Sequence, residues 1–414
     1  MATRMFIDGH WRDAVGGATT EATSPATGES LGAVAEGGRE DSRRALAAAA
    51  AAFPAWSGRT AFERSAHLHR VADACERRRD ELARTLTLDQ GKPLAAESVG
   101  EVGELIGFWR MAAEDCVRLE GAIPEGAAPG RRVLLLRRPR GVVGVITPWN
   151  WPYTMAAEVI APALACGNCV AWAPAPSTAV CSALLAECVA EADLPPGVFN
   201  LVLGPGPEVG DELAVNPGSQ AISFTGSTAT GLTVARRAAG KAQLLEMGGN
   251  GPLVVMDDAD LDAAVEAAVV GCFLCAGQSC SAGERLLVHE AVREDFAERL
   301  AARVTQEVRL GNPLDDTTTM GPLNNAGVAD KMDAHLADAV DRGAAVLAGG
   351  ERAGGFPTDL YWQATARRRP ARLAGGHRGD VRPDRAHCLR RLARGCDRAD
   401  QRAAVRADGR HLHA

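Results

Sequence analysis

The sequence predicts an α/β protein built from a doubly wound parallel sheet followed by a second α/β region. Three observations carry this. From Gly141 to Ala239 short apolar runs alternate with helical stretches, the order of repeated βα units. The runs G-V-V-G-V-I, N-C-V-A-W, V-F-N-L-V-L and A-I-S-F are almost continuously apolar, as strands covered on both faces are. A chain of 414 residues with 46% hydrophobic content can bury a large core and favours two domains over one.

In chain order, Met5 to Trp11 alternates and precedes T-S-P-A-T-G-E, an N-terminal hairpin region on turn residues. Glu40 to Phe53 opens on E-D-S-R-R and runs into alanines, a helix with an acidic, cap-capable start anchored at its end by Phe53 and Trp56. Ala61–Thr87 and Ala95–Val117 continue with helical periodicity. Residues 127–137 contain A-P-G-R-R-V-L-L-L-R, a turn followed by a β run. Its flanking arginines, Arg131, Arg132 and Arg137 to Arg140, read either as a phosphate-binding patch or as solvated edge charges.

In the sheet region the helices are expected at Met155–Leu164, Ser177–Ala190, Glu208–Ala214 and Ser227–Ala239. Gly226, Ser227 and Gly231 lie just past the strand Ala221–Phe224 and open a helix, where backbone N–H groups and the helix dipole favour a pyrophosphate. The second region begins with a strand at Pro252–Met256 and a helix over 257–276. A strand at Arg285–His289 and amphipathic helices at Ala291–Val308 and Ala326–Asp341 complete it.

Net charge is −7, so the whole chain offers no general attraction to nucleic acid or an anionic membrane. The N-terminus M-A-T-R-M-F-I-D-G-H has no apolar leader core, and no uninterrupted apolar run reaches a membrane span. The eleven cysteines are therefore expected as reduced thiols of a cytoplasmic protein. Cys166/Cys169 and Cys272/Cys275 have C-x-x-C spacing. Their apolar surroundings favour free core thiols over a zinc site, and no metal is expected.

One cysteine stands apart. Cys280, in F-L-C-A-G-Q-S-C-S-A, is flanked by small residues that leave its sulfur approachable by a substrate carbon. Glu246 ends the apolar run of L-L-E-M-G-G-N, where a lone carboxylate is placed to act as a base. P-W-N-W-P at Pro148–Pro152, F-T-G-S-T-A-T-G at Phe224–Gly231, L-E-M-G-G at Leu245–Gly249 and G-Q-S-C at Gly277–Cys280 occur in this order and at these spacings. Together they resemble the NAD(P)-dependent aldehyde dehydrogenase superfamily, over a stretch from about Met5 to about Thr365.

The resemblance implies a coenzyme-binding domain over 1–118 and 139–247, an oligomerisation arm at 119–138 and a catalytic domain at 248–365. It implies oxidation of a small-molecule aldehyde to an acid with NAD or NADP, in a cytoplasmic homo-oligomer. Cys280 would be the nucleophile, Glu246 the base, and the Asn150 side chain with the Cys280 N–H the oxyanion donors. Ile146, Thr147, Pro148, Trp149, Ala173, Gly206, Gly226, Ser227, Gly231 and Gly248 would line the coenzyme site. The family commonly has lysine and glutamate where this chain has Ala173 and Pro176, residues that hold the adenosine ribose. A coenzyme-independent thiol esterase, and an inactive relic or binding protein, are the alternative functions.

Residues 366–414 are expected as an arginine-rich, disordered tail. Arg367 to Ala414 contains fourteen arginines and five aspartates but no Lys, Glu, Ile, Phe, Tyr or Trp. A disordered basic tail, an RNA-binding segment, a folded extension and translation out of frame are its four readings. A permissible coding of His377–Asp384, read one base on, gives I-E-E-T-F-G-P, which resembles the family's late motif. Ala404–His413 treated likewise gives P-Y-G-L-T-A-G-I-F, another family stretch. A frameshift near Thr365 is the expectation these two hits support.

Overall fold

The computed structural model describes residues 2–126, 128–283, 285–368 and 390–392, the last three by their backbone. The chain forms two compact units. The first is Met1–Gly248 with Leu310–Ala326 and Gly354–Tyr361; the second is Gly249–Arg309, Gly327–Ala353 and Trp362–Ala414.

The first unit opens with a tight hairpin of β1 (Met5–Ile7) and β2 (His10–Arg12) and a second hairpin of β3 (Thr19–Thr23) and β4 (Ser30–Ala35). Helix α1 (Arg39–Ser57) follows. The helical stretch expected over 61–87 is two helices, α2 (Ala61–Arg77) and α3 (Arg79–Gln90). A reciprocal capping box of Thr60 and Glu63 starts α2, and Arg78 leaves helical geometry at φ −106°, ψ 20°, which separates the two. Gly91 then stops α3 in the left-handed region at φ 99°. A single π-type turn at Leu94–Ser98 leads into α4 (Val99–Cys116).

Beyond α4 come β5 (Val142–Ile146), α5 (Pro152–Ala165), β6 (Cys169–Ala173), α6 (Ala179–Glu191), β7 (Phe199–Leu201) and α7 (Val209–Val215). The unit closes with β8 (Ala221–Gly226), α8 (Thr228–Arg237) and β9 (Ala242–Met247). The sheet order is β2-β1-β7-β6-β5-β8-β9. Its β7-β6-β5-β8-β9 part is wholly parallel, and β1 joins β7 antiparallel at the edge. Burial explains the apolar runs, since every residue of β6 and all but the last of β5 are buried. Gly144 is required in β5: a Cβ there would lie 2.7 Å from Ile222 Cδ1 and 3.2 Å from Leu213 Cβ.

The expected β run within 127–137 is not a strand. Ala122 and Leu135 form one antiparallel bridge, exchanging hydrogen bonds of 3.0 and 2.8 Å, and Val133, Leu134, Leu135 and Leu136 are all exposed. With no second strand to satisfy its backbone, the segment stays extended without a ladder.

The second unit pairs β10 (Pro252–Val255) in parallel with β11 (Arg285–His289), and carries α9 (Leu261–Phe273), α10 (Arg293–Glu307) and α11 (Ala326–Asp341), the last starting at the unit boundary. An antiparallel pair, β12 (Ala345–Ala348) and β13 (Ala366–Arg368), completes it. The helix expected to run to Ala276 ends at Phe273, because Cys275 and Ala276 turn left-handed. Leu310–Ala326 follows this region in the chain, yet it packs in the first unit. There Pro313 O accepts from Leu94 N at 2.8 Å and Asn324 Nδ2 donates to Gln90 O at 3.2 Å. The disordered tail expected over 366–414 lies largely outside the described residues. Within it, however, Ala366–Arg368 form β13 and Arg390–Leu392 form β14, parallel to β11. A bare strand edge can pair with any extended segment, whatever its side chains.

Candidate active site

The first unit gathers its candidate residues by register. In a parallel sheet all strands end on the same side, and Ile146 pairs with both Ala173 and Phe224 while Gly226 pairs with Met247. The carboxyl ends of β5, β6, β8 and β9 therefore bring together Ile146–Trp149, Ala173, Gly226–Ser227 and Glu246–Gly248. Gly206 follows β7 at the same side. Ligands of doubly wound sheets bind at this edge.

Each turn has its own support. Thr147 is buried, donates its N–H to Ala173 O at 3.3 Å and accepts from Trp172 Nε1 at 2.8 Å through its hydroxyl. Pro148 and Trp149 are half-buried, and Asn150 is buried immediately before α5. Ser227 caps α8, its Oγ accepting from Thr230 N at 3.2 Å, and the first turn of α8 holds no acidic residue. The positive end of that helix is thus uncompensated, which fits an anionic group such as a pyrophosphate. Gly231 lets α8 lie close to β9, since a Cβ there would sit 2.6 Å from Met247 Sδ. Ala173 is buried and Pro176 exposed, and neither side chain supplies a polar atom for a ribose. Glu246 is exposed on β9, opposite Thr225 of β8.

Cys280 belongs to the second unit, in the turn between α9 and β11. Cys275, Ala276 and Gly277 all take left-handed angles, φ 54°, 53° and 74°. Gln278, itself buried, bonds back to Cys275 O through its amide at 2.8 Å and through its N–H at 3.0 Å. Ser279 and Ser281 share a hydroxyl contact of 2.9 Å across Cys280. Strained backbone that its surroundings over-determine is a mark of functional turns. Cys280 is exposed, whereas neighbouring Cys272 and Cys275 are buried, and burial pushes the Cys272 thiol up to about 12. Cys166, expected in the core, is exposed as well, because it ends α5 at the surface.

Two buried charged residues beside Asn150 escaped the sequence reading. Lys92 and Glu101 have fully buried side chains and form an ion pair of 2.5 Å, and Lys92 Nζ also donates to Asn150 O at 2.9 Å. The signal was present. Glu101 falls on the apolar stripe of α4 with Val102, Leu105 and Trp109, where a solvated acid has no place.

A doubly wound sheet with an uncompensated helix N-terminus at its carboxyl edge is the architecture of dinucleotide-binding α/β enzymes. Similarity to known proteins narrows this. The aldehyde dehydrogenase family model matches residues 11–368. A glutarate-semialdehyde dehydrogenase of Pseudomonas putida is 42% identical over 348 residues, covering 84% of this chain and 72% of that protein. An NADP+ succinate-semialdehyde dehydrogenase of Escherichia coli is 41% identical over 362 residues, covering 86% and 75%. Among solved structures, an NADP-dependent enzyme of Escherichia coli superposes with a TM-score of 0.89 at 37% identity, covering 96% of this chain and 82% of that one. Betaine aldehyde dehydrogenase of Staphylococcus aureus, in complex with NAD+, gives 0.87 at 32% identity, covering 94% and 77%. The chain belongs to the aldehyde dehydrogenase family, the NAD(P)-dependent enzymes that oxidise an aldehyde to a carboxylic acid. Among the described residues, no helix is long and apolar enough to cross a membrane.

Proposed function

We propose that this chain oxidises its aldehyde through a thioester on Cys280. The observation that carries the reading is the exposed Cys280 thiol in a strained turn, against buried neighbours, in a chain whose first unit lines one sheet edge with the coenzyme residues. The Cys280 thiolate adds to the carbonyl carbon, and the side-chain amide of Asn150 with the Cys280 N–H stabilises the oxyanion. The bound nicotinamide coenzyme supplies the acceptor for the hydride. Collapse of the oxyanion leaves a thioester on Cys280. Glu246 takes a proton from water, which attacks the thioester, releases the acid and frees the thiolate.

Ile146–Trp149, Gly206, Gly226–Ser227, Gly231 and Gly248 would hold the coenzyme, the Ser227 end of α8 taking its phosphates. The adenosine ribose would be held less firmly, since Ala173 and Pro176 offer it no side-chain hydrogen bond. The substrate is a small-molecule aldehyde, the working form a homo-oligomer joined through the 119–138 arm, and the compartment the cytoplasm. Exposure of Val133–Leu136 supports the arm, because an unpaired extended segment of this kind gains most from a neighbour's strand edge.

We infer too that the arginine-rich tail is read one base out of frame from near Thr365. The family match ends at residue 368, and the shifted reading supplies E-E-T-F-G-P, whose glutamate and phenylalanine resemble the groups that position the nicotinamide. The test compares the chain as written with a frame-restored protein at equal concentration. It measures coenzyme reduction on an aldehyde panel and oligomer size. Restored activity only after frame repair supports both readings. Equal activity and size in the two proteins overturns the frame reading and leaves the thioester reading to stand on Cys280 variants.

A further inference from the structure

The geometry points to Lys92 and Glu101 as a buried positioning pair that holds Asn150 in place for catalysis. This rests on the reading of Asn150 as oxyanion donor. Lys92 follows the left-handed Gly91 that ends α3, and its Nζ reaches partners on more than one side. It donates to Glu101 Oε2 at 2.5 Å and to the Asn150 backbone carbonyl at 2.9 Å, and it lies 3.7 Å from the Trp151 ring centroid. The other oxygen of Glu101 accepts from Tyr153 N at 2.9 Å and Thr154 N at 3.3 Å. Those amides open α5, whose own N-cap, Trp151, has no side chain able to accept them.

One ion pair thus grips the Asn150–Thr154 backbone from two sides. The cation takes the carbonyl of Asn150, and the anion caps the helix that Asn150 precedes. The arrangement belongs to the first unit, and the side chains of Lys92 and Glu101 are fully buried. Buried ion pairs seldom stabilise a fold better than apolar residues of the same size, so stability alone gives little reason for this one. Its geometric effect is specific. It fixes the backbone of a residue whose amide must meet an oxyanion, where displacement of about 1 Å costs about 100-fold in rate. The choice of lysine is also particular, since only three of the 45 Lys and Arg residues of this chain are lysines. A compact ammonium fits between a carboxylate, a carbonyl and a ring face, where a planar guanidinium does not.

The experiment has two arms. In the frame-restored protein, Glu101→Gln, Lys92→Met and the double variant are compared for melting temperature, kcat and the KM for coenzyme. The single variants are expected to lose stability, and the double variant, which leaves no lone buried charge, to recover it. In the double variant kcat is expected to stay ~10- to 100-fold low while the coenzyme KM holds within about twofold. A double variant that recovers both melting temperature and kcat overturns the proposal, because the pair is then structural only. The second arm needs no turnover and uses the chain as written, with lysines labelled with ¹³C. Its three lysines give three resolved ε-CH₂ signals. That of Lys92 is expected upfield, shielded by the Trp151 ring, to move in Glu101→Gln, and to resist amine-reactive reagents. A Lys92 signal at the free-lysine position with open reactivity overturns the grip itself, whether or not the enzyme oxidises aldehydes.

Discussion

The strand ends of the first unit and the Cys280 turn of the second reach their geometry by opposite routes. At the strand ends, position comes from repetition: once Val143 pairs with Val170 and Ala221, Ile146 must meet Ala173 and Phe224. At Cys280 there is no ladder, and three successive left-handed residues with a buried glutamine bonding back to Cys275 set the turn. Register tolerates changes that keep the pleat, whereas a strained turn depends on each residue in it.

The largest expected effect separates the two regions completely. Cys280→Ala in the frame-restored protein should abolish aldehyde oxidation and nitrophenyl ester hydrolysis together, by ~10⁴-fold or more, while coenzyme titration stays near wild type. Oxidation at the wild-type rate would remove Cys280 as nucleophile. Next, Glu246→Gln should slow turnover ~10²- to 10³-fold through deacylation, leaving a rapid burst of reduced coenzyme. Stopped-flow absorbance reads the burst, and uniform loss without one would assign Glu246 to thiol activation as well.

Glycine exchange should then read differently in the two regions. Gly231→Ala puts a Cβ 2.6 Å from Sδ of Met247, an exposed and flexible side chain that can move aside, so a stability change within about 1 kcal/mol and weaker coenzyme binding are expected, with ester hydrolysis retained. Ala276→Gly removes left-handed strain and should be neutral or stabilising by up to ~1 kcal/mol, while kcat falls as the turn loosens. Denaturant melts decide both, and a clear loss of stability in Ala276→Gly would show that the turn stores no strain. The smallest effect concerns Pro176. Without a carboxylate there to repel a 2′-phosphate, NADP+ should bind better than in a relative bearing glutamate at that position, and a strong preference for NAD+ would end the idea.

The same contrast explains what the sequence made legible. Strands β5, β6, β8, β10 and β11 could be located from continuous apolar runs, and α11 was placed to the residue, because burial and periodicity are local signals. The break at Arg78, the early end of α9 at Phe273 and the left-handed Cys275 and Ala276 depend on packing, and no propensity announces them. Residues 131–137 carry a strand's composition, yet within this chain the segment forms a single bridge, Ala122 with Leu135, and no ladder. Leu310–Ala326 follows the second region in sequence yet bonds to Gln90 and Leu94, a long-range choice invisible to any window. Spacing singled out the motif residues of the candidate site, and register brings those of the first unit to one sheet edge. For the Lys92–Glu101 pair the sequence shows only an acid on an apolar helix face, because the contact with Asn150, 58 residues from Lys92, is not local.

The scarcity of lysine has a chemical side as well. A free aldehyde condenses with neutral primary amines to form imines, while guanidinium groups stay protonated and unreactive toward simple aldehydes. Of this chain's three lysines, Lys92 is sealed inside, and Lys241 is half-buried with its ammonium bonded to Asn216 O and Ser219 Oγ at 2.6 and 2.8 Å. Lys331 is half-buried on α11. A protein that handles a reactive carbonyl compound thus carries almost no amine for that compound to modify. Incubation with excess aldehyde followed by borohydride and intact-mass measurement should therefore add few adducts per chain, and heavy labelling would show that these amines are open after all.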